Sequence, residues 1–141
     1  DAIVAGVGTG GTLTGVGRAL KPRKPGLKMV AVEPSTSAIL SGGPRGPHKI
    51  QGIGAGFVPS ILDTKLIDDI IQVSSEAALE TSRMLAKVEG IPGGISTGAN
   101  LAASIALAER QDMAGKTIVT FSPSCAERYY SSELFLDPGK S

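Results

Sequence analysis

The sequence opens on a short apolar run, Ala2-Ile3-Val4-Ala5-Gly6-Val7, that passes without a spacer into Gly8-Thr9-Gly10-Gly11. No other feature constrains the fold as tightly. An unbroken apolar run of this length reads as a strand buried on both faces, the situation of a parallel sheet covered by helices on either side. Thr12 to Lys21 then suit a helix, stopped by Pro22 and Pro25. Strand, glycine turn and helix follow one another with nothing between them.

The remainder continues the alternation. Residues 28–33 read as a second strand, ended by Pro34, and 66–73 as a third. Between them, 34–62 is rich in glycine and proline and lacks periodicity, as functional or disordered loops do. Its Ile39, Leu40, Ile50, Ile53, Phe57 and Val58 argue against plain disorder. Ser74 is placed to cap a helix over 75–89, with Glu76 in its first turn, Gly90 just past its end, and Glu80 and Arg83 spaced to pair. A further helix is predicted over 97–111, with Ser96 as its cap and Leu101, Ile105 and Ala108 on one stripe. A last strand over 117–121, a turn at 122–126 and a short helix over 127–134 complete the order. The fold class is α/β, with a three-layer parallel sheet. Residues 1–135 form one domain and 136–141 a polar tail. The abrupt start in a strand, with no leading polar segment, reads either as a piece of a longer chain or as a boundary drawn tightly at that strand.

Composition removes several functions. Lys and Arg number 14 and Asp and Glu 13, so the net charge of +1 supports neither nucleic-acid nor membrane-surface binding. A single cysteine, Cys125, excludes an internal disulfide framework. No apolar run approaches the ~20 residues of a membrane span. Glycine is the outlier, at 19 residues of 141, about twice its usual ~7%.

The first glycine cluster has three readings. Gly6, Gly8 and Gly11 satisfy G-x-G-x-x-G, and Glu33 stands 22 residues past Gly11, placed for a ribose hydroxyl as in a dinucleotide-binding domain. Alternatively, Gly8-Thr9-Gly10-Gly11-Thr12 is a cup for one phosphate. Bare glycines let N–H groups converge, two threonines add hydroxyls, and the next helix adds its dipole. The third reading is a tight turn with no ligand. Elsewhere, a histidine can serve as a general base, but His48, a loop histidine without a partner, reads first as structural. Cys125 has no sequence neighbour that would activate it. Asp68-Asp69 reads as a solvated strand edge, and no residues have metal-ligand spacing.

Four segments together resemble the cysteine synthase (O-acetylserine sulfhydrylase) family, pyridoxal-phosphate enzymes of the tryptophan-synthase β-subunit type. They are Val4 to Gly15, Pro47 to Pro59 (PHKIQGIGAGFVP), Gly94 to Ala99 (GISTGA) and Pro123 to Tyr129 (PSCAERY). The likeness runs from Ala2 to Phe135, and the second segment is the most specific. It implies the fold of the fold-type II pyridoxal-phosphate enzymes, with this chain as its C-terminal portion. It implies that Gly8, Thr9, Gly10, Gly11 and Thr12 hold the cofactor phosphate and that Ser124 meets the pyridine nitrogen. Gly52, Ile53, Gly54 and Ala55 would then form a loop beside the substrate. A serine cannot protonate the ring as a carboxylate would, which leaves a weaker electron sink suited to β-elimination. The implied reaction makes cysteine from O-acetylserine and sulfide through an aminoacrylate, with cystathionine formation as the nearest variant.

The departures are Ala126, where the family usually has glycine, and Tyr130 in place of an aliphatic residue. No lysine stands in the family's Ser-x-Lys context, and the Thr-Ser-Gly-Asn loop that grips the substrate carboxylate is absent. The Schiff-base lysine is therefore expected in an N-terminal half, and the chain by itself is expected to be inactive. The resemblance also implies a homodimer, a cytoplasmic location and the C-terminal tail of serine acetyltransferase as a partner. Two alternatives stand beside it: an NAD(P)-binding Rossmann domain and a non-catalytic partner-binding homologue.

Overall fold

A computed structural model describes residues 1–136. The polar tail expected at 136–141 lies outside the described residues except for Leu136. Four strands form one parallel sheet: β1 (Ala2–Gly6), β2 (Lys28–Pro34), β3 (Asp69–Val73) and β4 (Ile118–Thr120), in the order β3-β2-β1-β4. Three helices flank it: α1 (Gly11–Leu20), α2 (Ser75–Glu89) and α3 (Ile95–Ala108).

The side-chain period of two sorts each strand between two cores. Ala2 and Val4 of β1, Val30 and Val32 of β2, and Ile71 and Val73 of β3 face one way. They pack with Leu79, Ala99, Ala103 and Leu107 of α2 and α3. Ile3, Ala5, Met29 and Ala31 face the other way and pack with Leu13 of α1. Burial on both faces is the reason these strands read as unbroken apolar runs instead of alternating ones. The three layers expected from sequence are all present.

Several boundaries move. The third strand begins at Asp69, because Thr64–Leu66 is a 3₁₀ turn capped by Asp63, whose carboxylate accepts the Lys65 N–H. The helix expected at 97–111 runs from Ile95 to Ala108. Its cap position is Gly94, and Ser96 lies inside its first turn. The short helix expected at 127–134 is two 3₁₀ turns, Ala126–Tyr129 and Glu133–Phe135. Ser74 does cap α2, accepting the Ala77 N–H at 3.1 Å, and Gly90 ends that helix at φ 69°. The Glu80–Arg83 pair does not form. Arg83 instead donates to the carbonyls of Glu133, Leu134 and Leu136, at the end of the last 3₁₀ turn, where carbonyls run out of helical partners.

The connection from β2 to β3 is irregular throughout except for its two 3₁₀ turns. It is nonetheless anchored. Ile50 is fully buried, Ile53 and Leu62 nearly so, and each buried side chain of this size is worth about 1.5–3 kcal/mol. Phe57 and Val58, two of the apolar residues that argue against plain disorder, are exposed.

Candidate functional site

The chain lays β2 and then β3 outward on one side of β1 and then crosses back to set β4 on the other side. Ligands bind at such a switch point, outside the carboxyl ends of the strands. A cavity of about 290 Å³ opens there. Its walls come from four parts of the chain. Gly6 ends β1 and the Gly8–Thr12 turn follows it, and Gln51, Gly52 and Ile53 come from the long connection. Ser96 and Asn100 project from the start of α3, and Pro123, Ser124, Arg128 and Tyr129 follow β4.

The Gly8–Thr12 turn makes the N-terminus of α1. Its cap residue, Gly10, has φ 84°, and no side chain caps the helix. The first N–H groups of a helix have no partner within it, and here they open the helix beside the cavity with their dipole's positive end. Thr9 Oγ1 lies 3.4 Å from the Gly11 nitrogen and can accept from it, which leaves the threonine's proton to be given elsewhere. Gly8 is fixed by close approach, since a Cβ there would run into the carbonyl oxygen of Gly52. The cavity wall carries one cation, Arg128, and no carboxylate. That donor set suits an anion.

Ser124 and the glycine turn are thus on one cavity, although they are separated by more than a hundred residues. The serine does not cap the turn that follows, whose cap position is Cys125 with no side-chain bond. Its Oγ lies 3.0 Å from the Tyr129 hydroxyl instead.

The expected substrate-side loop is divided. Gly52 and Ile53 line the cavity. Ala55 lines an adjoining, more apolar hollow with Phe57 and Ile61. Gly54 lines neither and acts as a strut: its N–H donates to the Val7 carbonyl at 3.0 Å, and its carbonyl accepts from His48 Nε2 at 2.9 Å. His48 Nδ1 in turn accepts the Ile50 N–H at 3.2 Å. Both ring nitrogens are engaged, so the only histidine holds the loop. Asp68 accepts the Met29 N–H and pairs with Lys21 at 2.6 Å, while Asp69 pairs with Arg110. Among the described residues no three His, Cys, Asp or Glu side chains cluster as a metal site would require. No helix of the described residues is long and apolar enough to cross a membrane.

The dinucleotide reading fails at Glu33. This carboxylate is buried and accepts from the Leu40 N–H at 2.7 Å, the Ser41 N–H at 3.0 Å and the Ser41 hydroxyl at 2.5 Å. It orders the chain after β2, and its burial keeps it from presenting a free carboxylate to a ribose.

Sequence reasoning missed Asn100, Ser96, Arg128 and Tyr129. Asn100 is the most informative of them. It is 1% exposed, and its Nδ2 donates to the Phe121 carbonyl at 3.0 Å. A carbonyl only accepts, so Oδ1 is the atom turned the other way. It is the one buried side-chain polar atom without a partner among the described residues. An orphaned acceptor on a cavity wall calls for a donor within the cavity. The signal was one amide on the small-residue face that also carries Ala99 and Ala103.

Comparison with known proteins agrees with this geometry. A family model described as pyridoxal-phosphate dependent enzyme matches residues 1–124. A cysteine synthase of Staphylococcus aureus is 53% identical over 135 residues, which are 96% of this chain and 43% of that protein. O-Acetyl serine sulfhydrylase isoform 3 of Entamoeba histolytica superposes on all of this chain with a TM-score of 0.96 and 46% identity, over 42% of its own length. The O-acetylserine dependent cystathionine β-synthase of Helicobacter pylori superposes on 96% of it with a TM-score of 0.88 and 39% identity, over 44% of its own length. The chain thus spans less than half the length of these relatives.

Proposed function

The chain belongs to the pyridoxal-phosphate dependent enzyme family, and from that membership we propose that it is the phosphate- and ring-binding part of a cysteine synthase. The observation that carries this reading is the meeting of the Gly8–Thr12 turn and Ser124 on one cavity at the β1/β4 switch. A phosphate and an aromatic nitrogen at opposite ends of one ligand need such a pair of walls.

Gly8, Thr9, Gly10, Gly11 and Thr12 would hold the phosphate through backbone N–H groups, threonine hydroxyls and the start of α1. Ser124 Oγ would donate to the ring nitrogen. Gly52 and Ile53 would lie beside the ring, and the Asn100 amide oxygen would accept from a ligand group or a bound water at the cavity floor. When bound, pyridoxal phosphate supplies an electron sink for charge that develops at the α-carbon of an amino acid. The chemistry this family membership favours is replacement of the acetate of O-acetylserine by sulfide: the Cβ–O bond breaks, a C–S bond forms, and acetate leaves. Cystathionine formation, as in the Helicobacter relative, would differ in the incoming thiol.

The nucleophilic lysine would come from outside these 141 residues, so that they alone would bind cofactor without turning over substrate. The experiment is borohydride reduction of the intact protein loaded with pyridoxal phosphate, followed by peptide mapping, beside an assay for cysteine from O-acetylserine and sulfide. The label is expected on a lysine outside residues 1–141, with cysteine formed. A label on any lysine of this sequence, or no cofactor bound, overturns the reading. A homodimer, a cytoplasmic location and capture of a serine acetyltransferase tail peptide belong to the same proposal. Sedimentation, fractionation and a pull-down test them in turn.

A further inference from the structure

We propose that Tyr129 is a positioning residue for Ser124: its phenol hydroxyl donates to Ser124 Oγ and turns the serine's single proton into the cavity. The proposal rests on the cofactor reading above and adds a residue that the reading does not need.

The two hydroxyl oxygens are 3.0 Å apart, and by geometry either could be the donor. Chemistry decides between them. A serine hydroxyl has one proton and two lone pairs, and a phenol is by nature a stronger donor than an alkyl hydroxyl. If Ser124 gave its proton to Tyr129, only lone pairs would face a pyridine nitrogen that itself presents a lone pair. If Tyr129 gives its proton, the serine keeps a donor for that nitrogen. Each bond then polarises the next, as in other hydrogen-bonded chains.

Packing holds the tyrosine in this role. Tyr129 is 8% exposed, and Ser124 is the only partner of its hydroxyl among the described residues. Its own carbonyl is engaged by the Ser132 N–H and hydroxyl. The turn carrying both residues is clamped to the start of α3. The Gly94 N–H donates to the Ser124 carbonyl at 2.8 Å, and the Ala126 N–H donates to the Pro92 carbonyl at 2.8 Å. A Cβ on Gly94 would strike both Ser124 Oγ and the Tyr129 ring. The hydroxyl pair therefore sits in a space that is kept clear for it.

The test is Tyr129→Phe in the intact apoprotein, with Ser124→Ala and the double variant beside it. Three probes are titrated by calorimetry. Pyridoxine phosphate has no aldehyde for a lysine to trap. Its counterpart carries C–H in place of the ring nitrogen. Inorganic phosphate has no ring. Tyr129→Phe is expected to weaken pyridoxine phosphate about fivefold, the loss of one net hydrogen bond of ~1 kcal/mol. The C–H counterpart and phosphate should be unchanged, and Tyr129→Phe should add nothing in the Ser124→Ala background. Equal weakening of all three probes, or no change in any, overturns the inference. A wild-type protein that binds phosphate but does not prefer pyridoxine phosphate overturns the cofactor reading instead.

Discussion

A methyl group on Gly8 would meet the carbonyl oxygen of Gly52, a backbone atom that cannot step aside as a flexible side chain could. Gly8→Ala is therefore expected to push the two loops apart. Affinity for pyridoxal phosphate should fall at least tenfold, about 1.4 kcal/mol or more, in an equilibrium titration of the intact protein. Unchanged affinity would show that the cup does not depend on this contact. The sequence made Gly8 conspicuous, but only as a residue with no side chain. The reason for the missing side chain is a partner 44 residues further along, which no local pattern reveals. Glu33 makes the same point in reverse. Its position after the second strand suits a ribose, and only the Leu40 and Ser41 donors show that its carboxylate serves its own chain.

At the scale of elements, α2 and α3 cross where Gly98 lets them. A Cβ at that position would run into the Ala78 carbonyl and lie 2.8 Å from both the Ser82 nitrogen and its Cβ. Gly98→Ala is expected to destabilise by about 2–3 kcal/mol, read as a lower denaturant midpoint with the slope unchanged. Arg83 ties α2 to the last 3₁₀ turn through three carbonyls. Arg83→Ala should speed amide exchange in residues 133–136 and cost about 1–2 kcal/mol, since hydrogen bonds from a charged donor are the stronger kind but these are partly exposed. Exchange that stays unchanged there would mean the turn is held by other contacts. The strands and helices were legible because burial on two faces and helix capping leave local marks. Arg83 was misassigned to Glu80 because i,i+3 spacing is visible in a sequence and a carbonyl fifty residues away is not.

At the scale of the molecule, the cavity draws on four segments spread from Gly6 to Tyr129, so a ligand there bridges both ends of the described chain. Binding should therefore stabilise the fold as a unit and not one loop of it. At a free concentration a hundred times its dissociation constant, pyridoxal phosphate is expected to add about 2.7 kcal/mol. Calorimetric melting of the intact apoprotein checks this, with a smaller rise for inorganic phosphate and none for NADH, whose ribose would find Glu33 already engaged. A rise with NADH alone would restore the dinucleotide reading. The architecture was readable from the order of elements. The site was readable only in halves, the glycine turn from its composition and Ser124 from a family resemblance, because their meeting depends on β4 docking beside β1.

The contact of Gly8 with the Gly52 carbonyl also sets a limit on movement. The loop that carries Gly52 already rests against the cup, and nothing smaller than glycine exists to let it come nearer. From this side it works as a doorstop. At this contact the loop has room to swing outward and none to press inward. Tightening around a bound molecule is left to the walls that carry Ser96, Asn100, Ser124 and Tyr129.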